Sequence, residues 1–397
     1  MLEEKIYHTQ VKTVLLYPKS EDPEAMTKVP ILPIGYTNPL VLTFDVLNKS
    51  YENYYAKIVH CNADWRISNL NEIEYMQDFN ETIIQQYEYS FNTKIPYVHY
   101  SLELPLTKIS GNFAVVVYTE NIEKPLFIKR FMVYENALSI VPNARPSTDI
   151  SRLQTHQQID FKIRYSGYSL INPRDNLQVV VRQNDRWDNA LFSLKPTYIR
   201  EIDRELEYVY FNGENNFWGL NVFRRFDLQS ILFLGFNVAQ LDVLGAENRA
   251  RLVSDKLRNK DPFFVWNDRN GGFLINHFET QNGATQADYV KVYFTLKTEE
   301  ALAGEVYLRG AFNQWQFLEE HKMSYYASEK AYQRSVLLKQ GSYDYLYTVR
   351  YADGRVEDYF CEGSHFQTPN QYDILVYYRP LGARADALIG YRRFEYE

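Results

Sequence analysis

Short segments of alternating polarity, each closed by turn residues, recur along almost the whole chain and restrict it to a sheet-built fold. Residues 38–47, "NPLVLTFDVL", set Val41, Thr43 and Asp45 against Leu42, Phe44 and Val46. In a strand, successive side chains point to opposite faces, so this period of two marks a strand with one face in a core. The same reading applies to 54–61 "YYAKIVHC", 97–104 "YVHYSLEL", 112–119 "NFAVVVYT" and 126–134 "LFIKRFMVY". It applies again beyond residue 150, to "IDFKIRYSG", "NLQVVVRQN" and "EYVYFNG". Each segment has the length usual for sandwich strands.

Helix signals are scarce. The best candidate is 70–86, "LNEIEYMQDFNETIIQQ", whose apolar spacing fits a helix only in part. The composition leans the same way: 34 Tyr and 24 Phe favour strands over helices. The apolar run at 230–246, "SILFLGFNVAQLDVLGA", is broken by Asn237, Gln240 and Asp242, so it reads as strands with a turn rather than a membrane span.

Two polar stretches divide the chain, "NARPSTDISR" at 143–152 and "ETQNGATQAD" at 279–288. The expected architecture is all-β, with three consecutive β-sandwich domains over residues 1–136, 137–282 and 283–397. With 397 residues, cores of this size need no disulfide staples. Cys61 and Cys361 form neither a disulfide framework nor a metal motif. Residues 1–20 lack the charged-then-apolar layout of a signal peptide, which leaves either a cytoplasmic chain or one that starts after a removed signal. A net charge of −7 without a Lys/Arg cluster argues against a nucleic-acid partner.

Catalytic and metal chemistry find little support. His60 and Cys61 are adjacent in a strand, so their side chains point apart and cannot act as base and nucleophile. Asp64 beside Trp65 reads as a turn residue. The seven His fall at no zinc spacing, and "NDRNGG" at 267–272 lacks the ligands of a calcium loop and reads as a hairpin turn. No phosphate loop, dinucleotide fingerprint or nucleophile elbow occurs. The expectation is a chain with no catalytic residues, no metal and no cofactor.

"GEVYLRGAFNQW" at 304–315 and "LLKQGSYDYLYTVRYADG" at 337–354 together resemble the glycogen-binding E-set module, a small Ig-like sandwich. In that family the sugar site joins the turn Trp, a Lys on the later strand and a Trp after the Asp-Gly turn. Trp315 matches the first. Leu346 stands at the Lys position, and Arg355 and Val356 follow Asp353-Gly354. The resemblance therefore implies the scaffold but not its sugar site. A carbohydrate-binding protein using Trp315 is the alternative reading.

A second resemblance spans nearly the whole chain. "YYAKIVHCNADWRISNLNEIEYMQDF" (54–79), "QQYEYSFNTKIPYVHYSLELP" (85–105), "FMVYE" (131–135), "NVFRRFDLQSILFLGFNV" (221–238), "CEGSHFQTPNQYDILVYYRP" (361–380) and "ADALIGY" (385–391) are similar to the plug protein family of the type IX secretion system. The chain departs from that pattern at Val222, where an acidic residue is expected. The resemblance implies a non-catalytic periplasmic protein, with its signal peptide removed, that binds the periplasmic end of a large outer-membrane β-barrel translocon and seals its pore at rest. It implies no membrane insertion of its own and no small-molecule substrate. Loop-borne aromatics are the natural contacts for such a partner, and Phe217, Trp218, Phe264 and Trp266 are the candidates.

Overall fold

A computed structural model describes residues 2–396 of the chain. Nearly all of its regular structure is strand, arranged as three two-sheet sandwiches. In the first, one sheet runs in the order Lys5–Ile6, Phe127–Tyr134, Gly111–Tyr118, Tyr55–Cys61, Glu81–Ile83, with Ile31–Pro33 beside Phe127–Tyr134. Its partner sheet runs Val11–Pro18, Leu40–Val46, Val98–Glu103, Gln86–Tyr89. Leu42, Phe44 and Val46 enter the core between these sheets, as their alternation requires. Thr43 and Asp45 are also buried, because their face of the sheet lies against the third sandwich.

The one helical turn in the 70–86 stretch is Glu72–Tyr75. Residues 81–83 and 86–89 are strands, contrary to the helical expectation. A four-residue helix has no ladder of its own, whereas each of these strands finds a neighbour, Tyr55–Cys61 and Val98–Glu103 respectively.

Strand pairing divides the remainder differently from the expected boundary at 282/283. Leu177–Gln183 pairs along seven residues with Tyr372–Tyr378, and Asn370–Tyr378 pairs in turn with Ala387–Tyr396. The chain's last two strands thereby complete the second sandwich, opposite the sheet of Ser139–Pro146, His156–Arg164, Glu205–Tyr208 and Tyr198–Arg200. Residues 220–366 are inserted between the two parts and form the third sandwich. Its central strand, Gly341–Arg350, is flanked by Arg224–Asp227, Phe273–Ile275 and Glu305–Arg309. The facing sheet is built on Tyr289–Lys297 and Ala331–Lys339. The expected 137–282 and 283–397 segments are therefore each split between two sandwiches. A strand buried on both faces must pair along both edges, and Leu177–Gln183 finds its second partner only near the C-terminus.

All three sandwiches touch. Trp65 and Met132 of the first share an apolar cluster with Val180, Leu375 and Leu388 of the second. Arg186 and Asp188 of the second form an ion-pair group with Arg309 and Asp358 of the third. Between the first and third, Asp45 meets Lys339 and Tyr289.

Candidate partner interface

The structure separates the four aromatic candidates. Phe217 is only 4% exposed and stands edge-on to Tyr372, 5.3 Å away, inside the second core. It is a core residue and cannot reach a partner, which corrects the expectation. Trp218, its neighbour on the strand, faces the other way and is 39% exposed. Its ring lies 3.9 Å from that of His156 and 4.0 Å from that of Tyr359, so it pins the second sandwich to the third.

Phe264 and Trp266 stand on a loop of the third sandwich, with Phe264 68% exposed. The loop is held at its base. The Trp266 Nε1–H donates to the Phe223 carbonyl at 3.1 Å, the Phe223 N–H donates to Asp268, and Arg225 donates to the Asn267 carbonyl. The strand Arg224–Asp227 fastens a second apolar loop, which its sequence suggests would be strand. Residues 231–236 form no strand, and Leu232 is 77% exposed, with Phe233, Leu234 and Phe236 also open to solvent.

This second loop lies along the outer edge of Arg224–Asp227. The Asp227 N–H donates to the Phe236 carbonyl at 3.0 Å, and the Asn237 amide donates to the Arg225 carbonyl at 2.7 Å. Gly235 permits the close approach, since a Cβ there would fall 2.1 Å from the Asp227 carbonyl oxygen. Phe278 joins the group edge-on to Phe233 at 5.5 Å, its own N–H bonded to the Gln229 carbonyl. The second loop is thus tied to the strand Arg224–Asp227 by one backbone bond and the Asn237 side chain, and the first is tied to Phe223 and Arg225 through side chains. Little conformational entropy remains to be lost when they meet a partner.

Taking about 200 Å² for a large apolar side chain, the exposed parts of these residues amount to roughly 800 Å². Summed over the two loops, that equals about one partner's share of an interface of standard size. The signal for the missed loop was present as Gly235 and Asn237, two turn residues within the apolar run.

Other sequence candidates resolve into structural roles. His60 is buried with its Nδ1 2.9 Å from the Ser68 hydroxyl, and Cys61 lies on the opposite face of its strand beside Trp65. Burial pushes the His60 imidazole down to about 4 and the Cys61 thiol up to about 12, so neither is primed for chemistry at neutral pH. Among the described residues no group of three or more His, Cys, Asp or Glu is placed to hold a metal ion, and no helix is long and apolar enough to cross a membrane. Trp315 carries the Arg186 guanidinium over its ring, 4.3 Å from the centroid, and Gly271 lies against its far edge. Its remaining surface borders a cavity of about 370 Å³ where the sandwiches meet. Leu346, at the Lys position of the E-set pattern, is buried.

Comparison with known proteins places the chain. The whole chain is similar to a hypothetical protein from Parabacteroides merdae ATCC 43184, known from a crystal structure at 2.30 Å. The two share 33% identity with a TM-score of 0.93, over 100% of this chain and 99% of that one. No curated protein matches. Residues 11–135, which make up most of the first sandwich, match the family of the type 9 secretion system plug protein first domain. The chain belongs to the plug protein family of the type 9 secretion system, and its role lies in that secretion system.

Proposed function

We propose that this protein is a non-catalytic periplasmic plug that docks on the periplasmic end of the outer-membrane translocon barrel and seals its pore at rest. Family membership supports the setting. The observation that carries the docking is the pair of anchored apolar loops, 231–236 with Phe278 packed on Phe233, and 263–266 held at Phe223. A body of three mutually bound sandwiches can block a pore sterically, without turnover. An anchored apolar surface supplies the affinity, helped by aromatic contacts that already have fixed positions.

Sealing then follows from linkage. A plug that binds only the resting barrel stabilises the closed state, and a substrate or partner that favours the open state weakens plug binding by the same factor. The test is affinity purification of the tagged protein from detergent-solubilised outer membranes of its native host. Recovery of a very large barrel protein, together with a leaky envelope when the plug is deleted, is the expected result. Recovery of soluble glycans alone, or no barrel protein at all, would overturn the reading.

A further inference from the structure

The strand Gln86–Tyr89 is the outer edge of the first sandwich's four-stranded sheet. All four residues are exposed, and the ladder to Val98–Glu103 is regular, with no bulge. The Ser90 N–H donates to the Tyr97 carbonyl, which makes that pair a hydrogen-bonded one. By the two-residue period of an antiparallel ladder, Glu88 and Gln86 also bond inward. The backbone N–H and C=O groups of Tyr87 and Tyr89 therefore point out from the edge.

Proteins guard such edges with Pro, Lys or Arg, bulges or very short strands. Here the guard is shortness, since past Tyr89 the Phe91 N–H already donates to the Thr285 carbonyl. Several other edges of this molecule carry those guards. Ser139–Pro146 contains Pro142 and Pro146, Val238–Asp242 has a bulge, and Ala387–Tyr396 has both a bulge and Arg392-Arg393. From residue 81 to residue 91 there is no Pro, Lys or Arg. Aromatic rings line this edge instead. Tyr87 stacks on Tyr51 at 4.3 Å and meets Tyr89 edge-on at 5.7 Å, on the same side of the sheet as the buried Tyr100. Glu88 stands on the other side of the sheet and is the one charge in the strand.

We propose that this edge is a strand-addition site for an extended polypeptide whose side chains alternate apolar and basic. An added strand bonds to the outward groups of Tyr87 and Tyr89, its apolar side chains flank the tyrosine rings, and its basic ones meet Glu88. A second copy of this chain fits poorly. The two-fold register that uses both outward tyrosines sets Glu88 directly opposite Glu88, in a non-hydrogen-bonded pair where side chains lie closest. The site lies on the first sandwich, apart from the apolar loops of the third, so it stands whether or not those loops dock on a barrel.

The probe is a fluorescein-labelled peptide of the pattern Thr-Val-Arg-Val-Arg-Val-Thr, titrated into the full chain and followed by anisotropy. The Glu-for-Arg version serves as its control. The wild-type protein is expected to prefer the basic peptide by about tenfold, the scale of exchanging like for opposite cross-strand charges. Glu88→Lys is expected to reverse the preference. Tyr87→Pro removes an outward N–H without breaking a ladder bond and is expected to abolish binding while the melting temperature stays near that of the wild type. On binding, hydrogen exchange should slow at the Tyr87 and Tyr89 amides and stay unchanged at Glu88. No binding of the basic peptide, a preference that Glu88→Lys leaves as it was, undiminished binding to Tyr87→Pro, or protection elsewhere in the molecule would each overturn the proposal.

Discussion

Asp45 of the first sandwich and Lys339 of the third are joined by a salt bridge of 2.7 Å, with both side chains 1% exposed. The Asp45 carboxylate also accepts from the Tyr289 hydroxyl at 2.7 Å and lies 2.7 Å from the His99 Nδ1. The Lys339 ammonium donates to the Ala284 carbonyl as well. Burial alone would raise the Asp45 carboxyl, yet Lys339 and His99 outweigh it and hold the group below the usual carboxylate range. Its contribution is therefore complete above about pH 4 and is lost as the pH falls through the lower folded value. Removing one partner strands the other in a dry junction. Lys339→Met is expected to cost about 3–5 kcal/mol, whereas the double variant Asp45→Leu/Lys339→Met should recover a large part of that loss. Urea midpoints for the two single variants and the double decide it, and simple addition of the single losses would refute the coupling.

His60 and Gly111 lie against one another on the paired strands Tyr55–Cys61 and Gly111–Tyr118 of one sheet. A Cβ at Gly111 would lie 2.3 Å from the His60 Nε2, and Gly111 has a φ of +145°, which side-chain-bearing residues rarely adopt. Gly111→Ala thus combines a clash with backbone strain, and the imidazole is fixed by Ser68 and by Phe113 packed edge-on against it. A loss of about 3 kcal/mol is expected. Calorimetry or urea denaturation would show it, and Gly111→Ala/His60→Ala, which opens the space, should be less destabilised than the clash alone implies.

Many strands of this molecule are legible because they carry their own period of two, although 81–83 and 86–89 are not. Leu42, Phe44 and Val46 announce the core face without help from distant residues. Which strands pair is a different kind of information. Leu177–Gln183 and Tyr372–Tyr378 meet across an inserted sandwich, and neither segment encodes that partner locally. Side-chain direction was hidden in the same way. Phe217 and Trp218 are adjacent aromatics with one local signal, yet one is core and the other lies at a junction. The loop 231–236 was misread because an apolar run is ordinarily buried. It is exposed here because its backbone is held at the edge of Arg224–Asp227 while its side chains find no facing sheet.

The apolar loops provide a functional prediction that stability measurements can separate from misfolding. Phe233, Phe236 and Phe264 are largely exposed, so changing them to Ser removes little burial in the free protein. The triple variant is expected to keep the wild-type melting temperature to within a few degrees while losing at least about 2 kcal/mol of partner binding, the scale of a hot-spot cluster. Phe217→Ser, by contrast, should destabilise the second core. Co-purification with the proposed barrel partner from solubilised membranes, quantified against the wild type, reads the first effect. Undiminished recovery of the triple variant would place the contact elsewhere.

Asp344 carries a pH dependence whose sign can be worked out. Its carboxyl is buried beneath the loop 267–272, where one oxygen accepts from the Arg269 and Gly271 backbone N–H groups and the other has no partner. Burial, with Asp268 adding to it, raises the carboxyl to about 7. The folded state therefore holds a proton that the unfolded chain releases near pH 4. The contribution of this group to stability is greatest below that value, falls by about 1.4 kcal/mol per pH unit towards pH 7, and levels off above it. Asp344→Asn keeps an oxygen for the two backbone donors and places an amide where the second oxygen stood unpartnered. The variant and the wild type should be close in stability at pH 5, with the variant gaining steadily up to about pH 7 and little further by pH 8. Every other titrating group is common to both, including His60 and His321 with their opposite acid response, so the difference reports this carboxyl together with its repulsion of Asp268. Urea midpoints of the pair at pH 5, 6, 7 and 8 test it, and a difference that does not change with pH would show that Asp344 is ionised throughout.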